Sequence, residues 1–188
     1  MTISLPILDE LCEFVDNMIV QNSYPGFEAR GFRIGLPEKF NSAGSRVFAE
    51  ALGSPSVYVR IVGLRWFQDK PGTIRPHLKA IYGLLDSPDE WIRAEALTTL
   101  ERFGSPNAET AMLAAKLLED ENVMVRKSAA KALAKILPRA RQAKEATASR
   151  ESNLQLTEDL LKKAMLDKDP QVRQKAEKAL RRGGILEG

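Results

Sequence analysis

Covalent or acid–base catalysis needs a nucleophile with a base beside it, or a cluster of ligands for a metal. This chain supplies one histidine, His77, and one cysteine, Cys12. His77 follows Arg75-Pro76, and no motif pairs it with Cys12 or with a serine. A lone histidine cannot complete a histidine metal site, and a lone cysteine forms neither an internal disulfide nor a zinc cluster. The glycines at 26, 31, 35, 44 and 53 fit neither P-loop nor dinucleotide-binding spacing. The carboxylate pairs Asp89/Glu90 and Glu119/Asp120 fall where helices begin, a place the helix dipole favours for negative charge. The chain therefore reads as a non-enzyme, with no cofactor and no metal.

The residues that do recur are arginines. Val59-Arg60, Ile92-Arg93, Val125-Arg126 and Val172-Arg173 each precede small and apolar residues at helical spacing. The first three arginines are 33 residues apart and the last follows after 47. A repeat of this length marks stacked supersecondary units. Six residues before the arginines stand Ser54, Ser87, Asp120 and Asp167, each suited to cap a helix. Pro55 and Pro88 then take the first helical position, and Glu90 completes a capping box with Ser87. Ser105-Pro106 repeats this start for another helix.

Beyond the arginines runs an apolar stripe: Val59, Gly63, Leu64, Phe67; Ile92, Ala96, Leu97, Leu100; Val125, Ala129, Ala130, Leu133; and Val172, Ala176, Leu180, interrupted by Glu177. A second helix precedes each of these, over 38–52, 73–86, 106–119 and 153–166. A degenerate upstream unit combines helix 5–21 with a weak helix over 26–35, where Pro25 and Arg30 keep the proline-to-arginine spacing. The units span about 5–36, 38–69, 73–103, 106–137 and 153–182, within a single domain over 1–188. The surplus between Arg126 and Arg173 falls in a basic insertion over about 138–152. This segment has few large apolar side chains and reads as an exposed loop or helix extension outside the core.

Asp120-x5-Arg126-x2-Ala129-x3-Leu133 and Asp167-x5-Arg173-x2-Ala176-x3-Leu180, with serine replacing aspartate at 54 and 87, resemble HEAT-like repeats of the phycobilisome-lyase type. The likeness to armadillo repeats is looser, and the resemblance covers about residues 24–182. It implies an all-α, right-handed α-α superhelix of about five helix pairs. It also implies a structural ladder of Arg60, Arg93, Asp120, Arg126, Asp167 and Arg173 stitching neighbouring units together. The family is mostly non-catalytic scaffolds. A role in bilin attachment or phycobilisome turnover follows from the family label alone. A likeness to the HEAT-like DNA glycosylases suggests nucleic-acid binding, but no residue here matches their catalytic set.

Charge is uneven. Residues 1–94 hold 10 Lys/Arg against 11 Asp/Glu, and residues 95–188 hold 18 against 14. An acidic partner would suit the second half. The longest uncharged apolar runs are too short for a membrane span, and the acidic first helix does not resemble a signal peptide, so the expected location is the cytoplasm. Positions −2, +2, +5 and +9 from each arginine share one direction, away from the core stripe. In HEAT-like solenoids such helices line the concave face. The partner-binding residues read there are Tyr58, Arg65, Trp91, Arg102, Met124, Lys131, Lys135, Lys175, Lys178 and Arg182. The expected function is a scaffold holding a protein or peptide, with nucleic-acid backbone binding by the basic half as the alternative. The sequence leaves oligomeric state open.

Overall fold

Ten α-helices make up the described part of the computed structural model, which covers residues 6–21, 35–144 and 147–187. They are α1 (Pro6–Gln21), α2 (Glu38–Asn41), α3 (Ser45–Ala51), α4 (Val57–Asp69), α5 (Leu78–Gly83), α6 (Glu90–Arg102), α7 (Ala108–Lys116), α8 (Val123–Gln142), α9 (Arg150–Ala164) and α10 (Pro170–Arg182). Helices α4, α6, α8 and α10 carry the arginines and pack in that order, while α7 packs on α9 behind them. The result is an α-α solenoid. The weak helix expected over 26–35 falls largely within 22–34, outside the described residues.

The stripe explains the stacking. Val59, Leu64, Phe67, Ile92, Ala96, Leu97, Leu100, Val125, Ala129, Ala130, Leu133, Val172, Ala176 and Leu180 have no measurable exposure. Burying a side chain of Leu or Phe size is worth about 1.5–3 kcal/mol, so each interface is held chiefly by this row. Small residues set how closely helices approach. A Cβ built on Gly63 would lie 3.1 Å from the Phe48 carbonyl oxygen and 3.0 Å from Leu52 Cδ2. Between the same two helices Phe48 of α3 stacks on Trp66 of α4, with ring centroids 4.4 Å apart.

Three expectations about helix starts and lengths are corrected. The residues six before each arginine are not the N-caps. Asp89, Asn122 and Asp169 are the caps of α6, α8 and α10 and accept from the amides of the first turn; Ser56 holds the same position on α4 without a side-chain bond. Ser54, Ser87, Asp120 and Asp167 instead accept from the amide two residues on, closing the turn just before the helix. That bond commits the side-chain oxygen to the turn before the helix, and the polar residue two further on, Asp89, Asn122 or Asp169, is the one left to cap the first-turn amides. The arginines consequently sit at the end of the first turn, and the Ser87/Glu90 capping box does not form. Likewise Asn107, not Ser105, caps α7 through the Thr110 amide.

The outer helices are shorter than their periodicity implies. The 38–52 helix is split into α2 and α3 at Gly44, whose φ of 86° is open to glycine. The 73–86 helix shrinks to α5, flanked by 3-10 turns at Pro71–Thr73, Arg75–His77 and Leu84–Asp86. Pro76 lacks the amide that an α-helix would use there. The 106–119 segment is α7 from Ala108, ending in a 3-10 turn at Leu117–Glu119, and the last outer helix starts at Arg150 rather than 153. Much of the insertion is helical: α8 runs through Pro138 to Gln142. Contrary to the reading that the insertion lies wholly outside the core, Ala140 is fully buried. Arg141 pairs with Glu158 of α9, and Arg150 donates to the Arg141 carbonyl at 2.8 Å. Among the described residues, no helix is long and apolar enough to cross a membrane.

Candidate concave binding surface

The ladder arginines come first, because they fix how the helices of the surface sit. Arg93 donates from Nη1 to the carbonyls of Ser87 and Pro88 at 2.8 and 3.1 Å. Its other edge grips Asp120 of the next unit, Nε to Oδ2 at 2.7 Å and Nη2 to Oδ1 at 2.9 Å. Arg126 does the same with the carbonyls of Asp120 and Glu121 at 2.9 and 3.0 Å, and with Asp167 at 2.7 and 3.3 Å. Both pairs are fork-to-fork, the geometry that makes Arg–carboxylate bonds strong. Arg173 keeps the two carbonyl bonds, to Asp167 and Lys168 at 2.8 and 3.1 Å, and has no carboxylate partner among the described residues. Arg60 departs from the pattern: its Nε is buried without a hydrogen bond. Its register partner is Ser87, too short to reach across as an aspartate does.

The electrostatics follow the geometry. Burial pushes the Asp167 carboxyl up, but the bonds from Arg126 and from the Asp169 amide outweigh it and hold the group below the usual carboxylate range. The Asp120 bond raises Arg93 above the usual guanidinium range. His77 lies half-buried against the Phe67 ring, with centroids 5.3 Å apart. Cys12 is half-buried, and burial together with Asp16 and Asp9 pushes its thiol up, partly offset by a bond with Ser54. Among the described residues no group of three or more His, Cys, Asp or Glu side chains is placed to hold a metal.

On the opposite side of the arginine-bearing helices lies an open groove of about 670 Å³. Glu90 and Trp91 come from α6, Val123, Met124, Lys127, Ser128 and Lys131 from α8 with its cap Asn122, and Lys175 from α10. Four of the ten residues singled out from the sequence, Trp91, Met124, Lys131 and Lys175, thus meet in one depression. The mechanism of convergence is the stack: offset −2 on one helix and offset +2 on the next approach each other across the helix–helix seam. Lys178, Arg182 and Arg102 are exposed beyond the groove. Tyr58 and Arg65 do not line it. Tyr58 is half-buried on α4, and Val62 beside it is buried.

The basic row is less basic than its sequence. Arg65 donates to Glu95 from Nε at 3.1 Å and from Nη2 at 2.7 Å, and Gln68 holds the other oxygen at 2.8 Å. Glu101, only 4% exposed, takes Lys135 at 2.6 Å and Lys131 at 3.4 Å. Lys127 pairs with Asp169 at 2.8 Å, and its hydrogen bond leads the causes that lower that carboxyl. Sequence reasoning missed Lys127, Val123 and Glu101 as members of this surface. The signal for the pairs was present: Arg65–Glu95 and Lys131–Glu101 are both 30 residues apart, one repeat less one helical turn.

The insertion shapes a separate cleft of about 570 Å³ at the far end of the helices, where Arg139 donates to the Phe103 carbonyl at 3.3 Å.

Residues 78–181 match the family model for HEAT repeats. No curated protein matches the chain. A crystal structure of an engineered protein superposes with a TM-score of 0.58 at 22% identity, covering 79% of this chain and 67% of that one. A designed armadillo repeat protein gives 0.55 at 20% identity, with 78% and 67% covered. A further designed armadillo repeat protein, in complex with the peptide (KR)4, gives 0.58 at 20% identity over the same shares. At these identities the likeness is one of fold.

Proposed function

This chain belongs to the HEAT-repeat family, and we propose that its concave groove is a docking site for a protein or peptide, on which it performs no chemistry. The observation that carries the reading is the groove itself. It gathers a tryptophan, a methionine and lysines from three successive helices, while the remaining conspicuous residues, the arginines, are consumed by the stack. Half-buried aromatic and Met side chains ringed by cations are the composition of interface hot spots. The groove is open along its length, which suits a segment of chain rather than a small molecule enclosed on all sides.

A peptide fits the charge better than a nucleic-acid backbone does. Backbone binding needs several free cations to displace counterions. Here Arg65, Lys127 and Lys135 already have carboxylate partners at hydrogen-bond distance and Lys131 a looser one, which leaves the free cations of the groove side concentrated on a single helix, α10, rather than spread along a backbone path. The designed armadillo protein with (KR)4 holds a basic peptide; the cations on this face call for a partner of the opposite sign.

The test is affinity capture with three forms of the protein: wild type, W91A/K131E/K175E, and a control carrying K162E on the exposed flank of α9. Partners retained by wild type and by the control should be lost with the triple variant. Retention of the same partners by the triple variant would overturn the assignment of the groove.

A further inference from the structure

On α4, α8 and α10 the cations of this surface fall into two groups, and the difference points to what the partner must carry. On α4 and α8, Arg65, Lys127, Lys131 and Lys135 each have an acid within 4 Å. On α10, Lys175, Lys178 and Arg182 have none among the described residues. Register explains it. Subtracting the 47-residue step that separates Arg173 from Arg126 places Lys175, Lys178 and Arg182 opposite Ser128, Lys131 and Lys135. The neighbouring helix therefore offers hydroxyl and ammonium groups where the earlier seams offer carboxylates. The three cations also stand at i, i+3 and i+7 of one helix, a like-charge stripe that costs the helix a few tenths of a kcal/mol per pair.

The apolar part of the groove lies one seam away. Trp91 of α6 and Met124 of α8 line it together, and Val123 beside Met124 is exposed. Packed helix axes are about 8–10 Å apart, and an extended chain advances about 3.3 Å per residue. Crossing from the Trp91–Met124 notch to Lys175 thus takes about three residues. From Lys175 to Arg182 the helix rises about 10 Å at 1.5 Å per residue, the length of about three more extended residues.

Resting on the docking role proposed above, we infer that the occupant is an extended acidic peptide with one bulky apolar side chain and, about three residues from it, a run of two or three Asp or Glu. The apolar side chain seats between Trp91 and Met124. The carboxylates lie along Lys175, Lys178 and Arg182 and supply the acids that α8 lacks. Complementarity of this kind sets register and on-rate as well as affinity, and it weakens with salt.

The experiment is fluorescence anisotropy on the full chain with labelled twelve-residue peptides. The reference peptide carries one Leu and, three residues on, Asp-Glu-Glu. A second has the acids replaced by Asn and Gln, a third has the Leu replaced by Ser, a fourth is (KR)4, and a single-stranded oligonucleotide completes the set. Binding of the reference peptide should exceed that of each other probe at least tenfold. It should fall at least tenfold in K175E/K178E/R182E and in W91A, and weaken as salt rises from 50 to 500 mM. Because the peptide substitutions leave the protein untouched, they decide the matter even where a protein variant folds poorly. Equal binding of the acid-free peptide, tighter binding of the oligonucleotide, or no binding of the reference peptide would overturn the inference. If partner capture still depends on Trp91, Lys131 and Lys175 in that case, the docking role stands and only its chemistry is wrong.

Discussion

Replacing Ser87 with aspartate should stabilise the protein by completing a missing rung. Arg60 precedes Ser87 by 27 residues, the spacing at which Arg93 grips Asp120. The two positions share their local geometry: Ser87 Oγ accepts from the Asp89 amide at 3.2 Å, and Asp120 accepts from the Asn122 amide at 2.8 Å. They share their burial too, Ser87 being 6% exposed and the Asp120 side chain 8%. An aspartate at 87 therefore keeps the turn and gains reach. A buried donor such as Arg60 Nε costs about 1–3 kcal/mol while unpaired, and a charge-assisted bond returns about 1.5–3 kcal/mol. Desolvating the new carboxylate offsets part of this. The net gain should be about 1–2 kcal/mol, a rise of about 3–6 °C in Tm for a domain of this size. Urea and thermal unfolding of wild type, S87D, S87N, R60M and R60M/S87D measure it. S87N controls for size, and the double mutant isolates the pair. The reasoning fails if S87D lowers stability while Arg60 is present, or raises it equally in the R60M background.

Removing a formed rung should cost more than the missing one gains: D120S leaves the buried Arg93 uncompensated and should destabilise by about 3–5 kcal/mol, read from the urea midpoint. The Asp167 carboxyl is held below its unfolded value, so its contribution is present above about pH 4 and is lost as pH falls through the lower folded value. In D167N the acid limb of a pH-stability curve should accordingly be shallower than in wild type, and an unchanged limb would count against the rung. G63A should destabilise by about 1 kcal/mol in chemical denaturation, because overpacking against the Phe48 carbonyl costs about 1–3 kcal/mol and better helix propensity returns about 1. The Cys12 thiol, raised by burial and by Asp16 and Asp9, should alkylate more slowly with iodoacetamide than an exposed cysteine. Its rate should still be climbing above pH 9, and a plateau below pH 8 would contradict the shift.

The repeat was legible because stacking imposes a period on the apolar residues. Val125, Ala129, Ala130 and Leu133 fall at spacings that only a buried helical face requires, and the structure buries all four. Helix starts were less legible. Ser54, Ser87, Asp120 and Asp167 are residue types that suit a cap, yet each closes a turn onto the amide two residues on, and the helix starts only after that turn. The outer helices were overextended for a related reason. Leu117 and Leu118 keep an apolar rhythm into a 3-10 turn, since a buried turn needs apolar side chains as much as a helix does. Four of the nine residues lining the groove could be read by counting from the arginines, because Trp91, Met124, Lys131 and Lys175 are fixed by helical phase alone. Glu101 lies at no selected offset, and only its 30-residue spacing from Lys131, the same as that of Arg65 and Glu95, points to it.

Period and phase together also decide which charges of a solenoid are available to a partner. Two residues one repeat apart sit side by side on adjacent helices, and a long side chain reaches about one turn in either direction. Carboxylates at one period less a turn therefore neutralise Arg65 and Lys131, whereas no acid of α8 stands at the corresponding reach from Lys178 or Arg182. The 14-residue surplus before Asp167 does not disturb this, because Arg126 still grips Asp167 at 41 residues, the 27 of the earlier rung plus the surplus. The ladder thus keeps α10 in register with α8 despite the insertion, and a register that is kept makes the unmatched stripe on α10 a fixed property of the surface. Shortening the chain between α8 and α9 while preserving the Arg126–Asp167 pair should consequently leave peptide affinity unchanged. D167S, which lets α10 shift against α8, should reduce it without touching a residue of the groove. Equal affinity in D167S and wild type would show that the stripe does not depend on the ladder for its position.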